Sequence, residues 1–122
     1  MQFKKSGENK TDLKKDYKKS VLLSLSDLSK YPGHVLQTVT IPPHTKQRKH
    51  LHHKQTEIGY VLSGHAIYYI NDIPHEMTKG DVIIDEPGES HYILNSSEED
   101  FVILISKISM PTDSDDTTWL EE

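Results

Sequence analysis

Cysteine is absent from the 122 residues. That excludes a disulfide framework, a thiolate metal site, a CxxC redox pair and a cysteine nucleophile, so a transition-metal site in this chain has to use imidazole and carboxylate. Alanine is nearly absent, with Ala66 alone against 17 Val+Ile, 9 Thr and 6 Tyr, a mixture that favours pleated strands over helices and reads as all-β. Long apolar runs are missing too. The longest, Phe101 to Ile105, falls far short of the ~18 residues that span a bilayer, and the start MQFKKSGENK has no apolar signal-peptide core. A soluble cytoplasmic protein is expected, with no membrane partner.

What the chain does have is eight histidines and an uneven charge. The net charge of −5 argues against a nucleic-acid partner. Residues 1–19 carry seven Lys against Glu8, Asp12 and Asp16, whereas residues 96–122 carry eight acids against Lys107. The length suits one core. The expected division is a basic N-terminal arm (1–20), a strand-rich body (21–108) and an acidic C-terminal tail (109–122). The arm reads as mobile, with a short helix after Thr11. The tail reads as extended, with Trp119 and Leu120 placed to dock on the body or on a partner subunit.

In the body, segments of strand composition follow one another at sandwich or barrel spacing: Val21–Leu25, Val35–Ile41, Gln47–His53, Glu57–Leu62, Ala66–Ile70, Asp81–Ile84, Glu89–Leu94 and Phe101–Ile108. Turn chemistry separates them, as at Ser63-Gly64, Lys79-Gly80 and Pro87-Gly88, and Asn71-Asp72 reads as a tight hairpin. Without recurring helical segments between strands, a parallel βαβ sheet is excluded.

The residues that carry chemistry begin at His50-Leu51-His52-His53-Lys54-Gln55-Thr56-Glu57. Side chains alternate along a strand, so His50 and His52 project to one face, Leu51 and His53 to the other. After the turn, Glu57 opens the next strand beside that pair, with Gly59 and Val61 on its face and Ile58, Tyr60 and Leu62 opposite. Two imidazoles and a carboxylate converging on one point suit a borderline divalent cation. Further on, Pro87-Gly88 turns the chain and His91 starts a strand that can return to the same interior.

The spacing H-x-H-x4-E-x6-G at positions 50, 52, 57 and 64, followed by G-x6-PG-x2-H-x3-N at 80, 87, 88, 91 and 95, resembles the two motifs of the cupin superfamily. The resemblance covers roughly residues 34–108. It implies a small antiparallel jelly-roll β-barrel over 21–108, with a metal held inside by His50, His52, Glu57 and His91, and a homodimer. The family's first motif usually opens with a glycine where this chain has His44, and its second reads P-x-G where Gly88 here directly follows Pro87; both differences fall in turns. For the dimer, Val21–Leu25 and Phe101–Ile105 offer apolar edges that a second copy would cover.

A His3Glu set leaves one or two octahedral positions open, and Fe, Mn, Ni, Zn and Co all fit it. Such an ion can act as a Lewis acid, lower the pKa of a bound water or activate O2. The expected activity is that of a metal-dependent enzyme on a small oxygen-rich substrate such as a sugar acid or a keto or hydroxy acid, by isomerase, lyase or dioxygenase chemistry. The stretch Glu57 to Gly64 is similar to the equivalent strand of pectin-catabolism cupins. A non-catalytic metal- or ligand-binding module, and a regulatory protein with charged recruiting tails, are the alternatives. His53 reads as a surface residue and His65 and His75 as packing or surface residues on strands; Tyr60, Tyr68, Tyr69 and Tyr92 read as core or interface, and Asn95 as a cap at its strand's end.

Overall fold

A computed structural model describes residues 1–111 and 116–122; residues 112–115 of the expected acidic tail lie outside it. Twelve strands follow in order: β1 (Lys10–Leu13), β2 (Lys18–Leu23), β3 (Val35–Ile41), β4 (Thr45–Lys46), β5 (His50–His52), β6 (Thr56–Ser63), β7 (His65–Ile70), β8 (Ile73–Thr78), β9 (Val82–Asp85), β10 (His91–Asn95), β11 (Phe101–Ile108) and β12 (Thr117–Trp119). Among the described residues all pairings are antiparallel and form two sheets, so the chain is all-β as its composition predicts and antiparallel as the cupin resemblance implies. One sheet runs β1-β2-β3-β11-β6-β9. The other runs β12-β5-β10-β7-β8, with β4 beside β10. Among the described residues no helix is long and apolar enough to cross a membrane.

Alternation builds the core. Val39 and Ile41 on β3, Val61 on β6 and Phe101, Ile103 and Ile105 on β11 point inward from the first sheet, facing Ala66, Tyr68, Met77 and Ile93 of the second. Fully burying a side chain such as Phe101 or Ile93 contributes roughly 2–3 kcal/mol. At the end of β6 the backbone is crowded: Gly64 has φ +80°, and a Cβ there would lie 2.3 Å from the Asp100 carbonyl oxygen, so the motif glycine answers a close approach of two chains. Asn95, fully buried, donates from Nδ2 to the Ile41, Pro42 and Glu99 carbonyls and accepts at Oδ1 from the Ser97 amide and hydroxyl. It closes the end of β10 as expected.

The expected strands recur with four differences. Residues 10–20 of the expected arm form part of a strand pair, with no helix after Thr11: β1 and β2 pair as Thr11↔Ser20 and Leu13↔Lys18, and β2 joins β3. The β1 side chains are exposed throughout, so this strand is held by main-chain hydrogen bonds and shows no burial pattern in the sequence. Second, the expected Gln47–His53 strand shortens to His50–His52. Third, the Asn71-Asp72 hairpin forms, both residues at positive φ, and its return strand β8 is an additional strand whose Pro74 and exposed polar residues disguise it in the sequence. An edge strand tolerates that proline. Fourth, Val21–Leu25 and Phe101–Ile105 are not edges: β2 lies between β1 and β3, and β11 between β3 and β6.

Candidate metal centre

His50 and His52 lie on β5 with His53 turned outward, and His50 is paired directly with His91 on β10. Glu57 comes from β6 in the facing sheet. The side-chain parity expected from the sequence holds at every one of these positions: His50, His52, Glu57 and His91 are buried, whereas His53, Ile58, Tyr60 and Leu62 are exposed. Ring centroids of His50 and His91 are 4.2 Å apart, those of His52 and His91 5.1 Å, and those of His50 and His52 5.3 Å. One ligand nitrogen from each of the three histidines lies within 4.8 Å of the others.

The second ring nitrogen of each imidazole is engaged elsewhere. Nδ1 of His50 donates to the Arg48 carbonyl (2.9 Å) and Nδ1 of His91 to the Glu89 carbonyl (3.2 Å), because a carbonyl can only accept. Nδ1 of His52 is 3.2 Å from the Thr117 hydroxyl on β12. For His50 and His91 the Nε2 lone pair is thereby left for the centre, the arrangement that fixes ring orientation in metal-binding histidines. Nε2 of His52 is one of two buried side-chain atoms among the described residues without a hydrogen-bond partner, although it lies against Glu57 Oε1 in ion-pair contact. An imidazole nitrogen and a carboxylate oxygen brought together in a buried site, with two more imidazoles beside them, fit a cation.

Electrostatics favour the same donor set. Burial, and then the repulsion a protonated His91 would exert, hold His50 down at about 3. Burial likewise lowers His91, so both are neutral imidazoles. For Glu57 burial acts upward, but the approach of His52 and the charges of His52 and Lys107 prevail and hold it at about 2. Gln55, itself buried, donates from Nε2 to Glu57 Oε1 at 3.1 Å.

Two contributors, Asp85 and Asp116, were not found from the sequence. Asp85 on β9 is paired with Glu57 across the sheet and accepts a short hydrogen bond from the Tyr68 hydroxyl. Its Oδ2 is 3.7 Å from His91 Nε2, and its Oδ1 is the other orphaned buried atom. Burial pushes Asp85 up to about 7, with the Tyr68 bond opposing and the Glu57 charge adding. Asp116 places Oδ2 on the main-chain N–H groups of His53, Lys54 and Gln55, at 3.2, 2.8 and 2.8 Å, and so pins the turn between His52 and Glu57. Trp119 packs against His50 at 4.8 Å between centroids, and the Arg48 guanidinium lies 4.2 Å above its ring. Docking of Trp119 on the body is thus as expected. The remaining histidines stand apart: His53 Nε2 meets the Thr118 hydroxyl, His44 pairs with Glu98 at the surface, and His34 contacts the Tyr31 carbonyl. His65 and His75 are exposed.

The four expected ligands open onto a cavity of about 550 Å³. That is within the range of ligand-binding clefts.

Comparisons with known proteins bear on the family and the fold. A curated oxalate-binding protein of Thermotoga maritima is 33% identical over 64 residues, 52% of this chain and 53% of the relative, so the match spans about half of that relative's length. The crystal structure of a predicted oxalate decarboxylase from Thermotoga maritima superposes with a TM-score of 0.77 at 24% identity, covering 87% of this chain and 97% of the other. The polyketide cyclase RemF of Streptomyces resistomycificus gives 0.80 at 19% identity, covering 100% and 87%. These two likenesses show a shared fold. The Cupin domain family model matches residues 37–107, which span β11, β6 and the metal-site strands, and with three buried histidines converging there the chain belongs to the cupins.

Proposed function

We propose that the protein is a metal-dependent cupin enzyme that holds one divalent ion through Nε2 of His50, His52 and His91 and the carboxylate of Glu57. Fe, Mn, Ni, Zn and Co all suit these donors. The observation that carries the reading is the convergence of three buried imidazoles, one ligand nitrogen of each within 4.8 Å of the others, with the buried carboxylate of Glu57 in contact with one of them. A bound ion there would supply Lewis acidity to a carboxylate, carbonyl or enolate oxygen of a small oxygen-rich substrate, a sugar acid or a keto or hydroxy acid among them. Isomerase, lyase and dioxygenase chemistry all begin from such a complex.

The chain's own residues contribute the rest. Glu57 brings negative charge, Gln55 and the three Nδ1 contacts fix the donors, and Tyr68 and Asp85 hold a proton between Oη and Oδ2 at the side of the site. The cavity walls separate the site from bulk water on the core side, where Ile93 and Ile105 line it. A second reading, a binding module without turnover, draws on the oxalate-binding relative. A homodimer and a cytoplasmic location complete the proposal.

Metal analysis of the purified protein tests it. About one divalent ion per chain is expected, lost in His50→Ala/His52→Ala; a metal-free wild type, or a double variant that keeps its ion, would refute the site. Substrate-dependent O2 uptake with bound iron then selects the dioxygenase branch, and zinc, nickel or manganese without uptake selects the others.

A further inference from the structure

A second carboxylate stands beside the histidines, in a place the core would otherwise fill with an apolar side chain. Along β9 the side chains alternate: Val82 and Ile84 are exposed, Ile83 packs against the core, and Asp85 takes the next inward position at 2% exposure. Its register partner across the sheet is Glu57, so two buried carboxylates sit side by side on adjacent strands. Lys107, paired with Glu57 from the other flank, offsets one of these charges. Among the described residues Asp85 has the Tyr68 hydroxyl as a donor to Oδ2, and its Oδ1 has no hydrogen-bond partner. A buried carboxylate with an unsatisfied oxygen is unfavourable unless something positive meets it.

What Asp85 faces is another acceptor. Nδ1 of His91 gives its proton to the Glu89 carbonyl, so Nε2 carries a lone pair, and Asp85 Oδ2 lies 3.7 Å from it. Two lone-pair atoms turned toward each other are reconciled by a cation between them. Donors that share one first-row ion each stand about 2.1 Å from it, so they can be no more than about 4.2 Å apart. The separation of 3.7 Å meets that limit. The Tyr68 hydroxyl meanwhile orients the carboxylate, as outer hydrogen bonds do for ligating carboxylates. His50, His52, Glu57 and His91 line the cavity, whereas Asp85 does not. It therefore approaches the centre from within the protein and leaves the cavity side to a ligand.

Resting on the metal site argued above, we infer that Asp85 is a fifth protein donor to the ion, making the centre His3GluAsp with a single exchangeable position on the cavity side. Five protein donors call for a six-coordinate ion, which favours Mn, Fe, Co or Ni over tetrahedral Zn. A ligand entering from the cavity then attaches to the ion through one oxygen rather than two.

Electron paramagnetic resonance of the full chain loaded with Mn(II) tests this, because line broadening in oxygen-17-enriched water counts the waters on the ion. One water is expected in the wild type, and two would overturn the inference. Asp85→Asn preserves the size of the side chain and an acceptor for Tyr68. It is expected to admit a second water and to weaken Mn(II) binding, in competition with a chelator, by at least the roughly tenfold that loss of an outer partner costs. A weaker variant with an unchanged water count would make Asp85 a charge at a distance and overturn its ligation, as would a variant that binds like wild type. The wild-type count holds whether or not the variant folds. Uptake of Zn(II) without Mn(II) would also overturn the inference, whereas uptake of neither refutes the underlying site, so the two failures are told apart.

Discussion

The Thr117 hydroxyl lies 3.2 Å from His52 Nδ1, where it bears on which way the imidazole faces. Outer partners of metal-binding histidines typically contribute 10–100-fold in affinity. Thr117→Val is therefore expected to weaken metal binding by about tenfold or more, with Thr117→Ser retaining most of it; competition titration against a chelator reads both. Equal affinities for wild type and valine variant would show that His52 is oriented by packing alone. At this scale His50, His52, Glu57 and His91 were legible, because a period of two along adjacent strands fixes which side chains share a face. Thr117 and Asp85 were not. Thr117 meets a residue 65 positions away, and Asp85 is a carboxylate in a strand whose neighbours Val82 and Ile84 face solvent, so its inward direction follows only from its register with Glu57.

The C-terminal strand acts on the metal-site turn as a clamp. β12 pairs with β5 through Thr117↔His52 and Trp119↔His50, and Asp116 gathers three successive main-chain N–H groups of the turn that follows. Burial opposes ionisation of Asp116, but those three donors outweigh it and keep its carboxyl below the usual value of 3.8. With a folded value beneath the unfolded one, the stabilisation is complete above pH 3.8 and is lost as pH falls below it. Asp116→Asn should thus melt at a lower temperature than wild type at neutral pH, with the gap narrowing as the solution is acidified through the carboxylate range. A gap independent of pH, measured by circular dichroism, would assign the loss to something other than charge. Elements with a buried face, β3, β6 and β11, announced themselves by alternation, whereas β1, β8 and β12 lie at sheet edges and take their places from main-chain pairing, which leaves little trace in composition.

On the outside of the molecule, Ile58, Tyr60 and Leu62 of β6 lie exposed next to Val82 and Ile84 of β9, which is a sheet edge. A contiguous apolar face along an open edge invites a second copy, and a stable pair would need to bury ~800 Å² from each chain. Sedimentation is expected to report twice the mass of one chain, and Tyr60→Lys/Val82→Lys to report one. A monomeric wild type would leave this face unexplained as a self-association surface. The dimer expected from the sequence is thereby proposed on this face, because Val21–Leu25 and Phe101–Ile105 lie inside their sheet.

Trp119 is the only tryptophan in the chain, and the fold sets it against His50 at the wall of the cavity. The protein consequently contains an optical probe of its own at the place of interest. Its ultraviolet emission arises from one ring, so arrival of a quenching transition-metal ion or of an aromatic ligand is read without a label, in the unmodified chain and in real time.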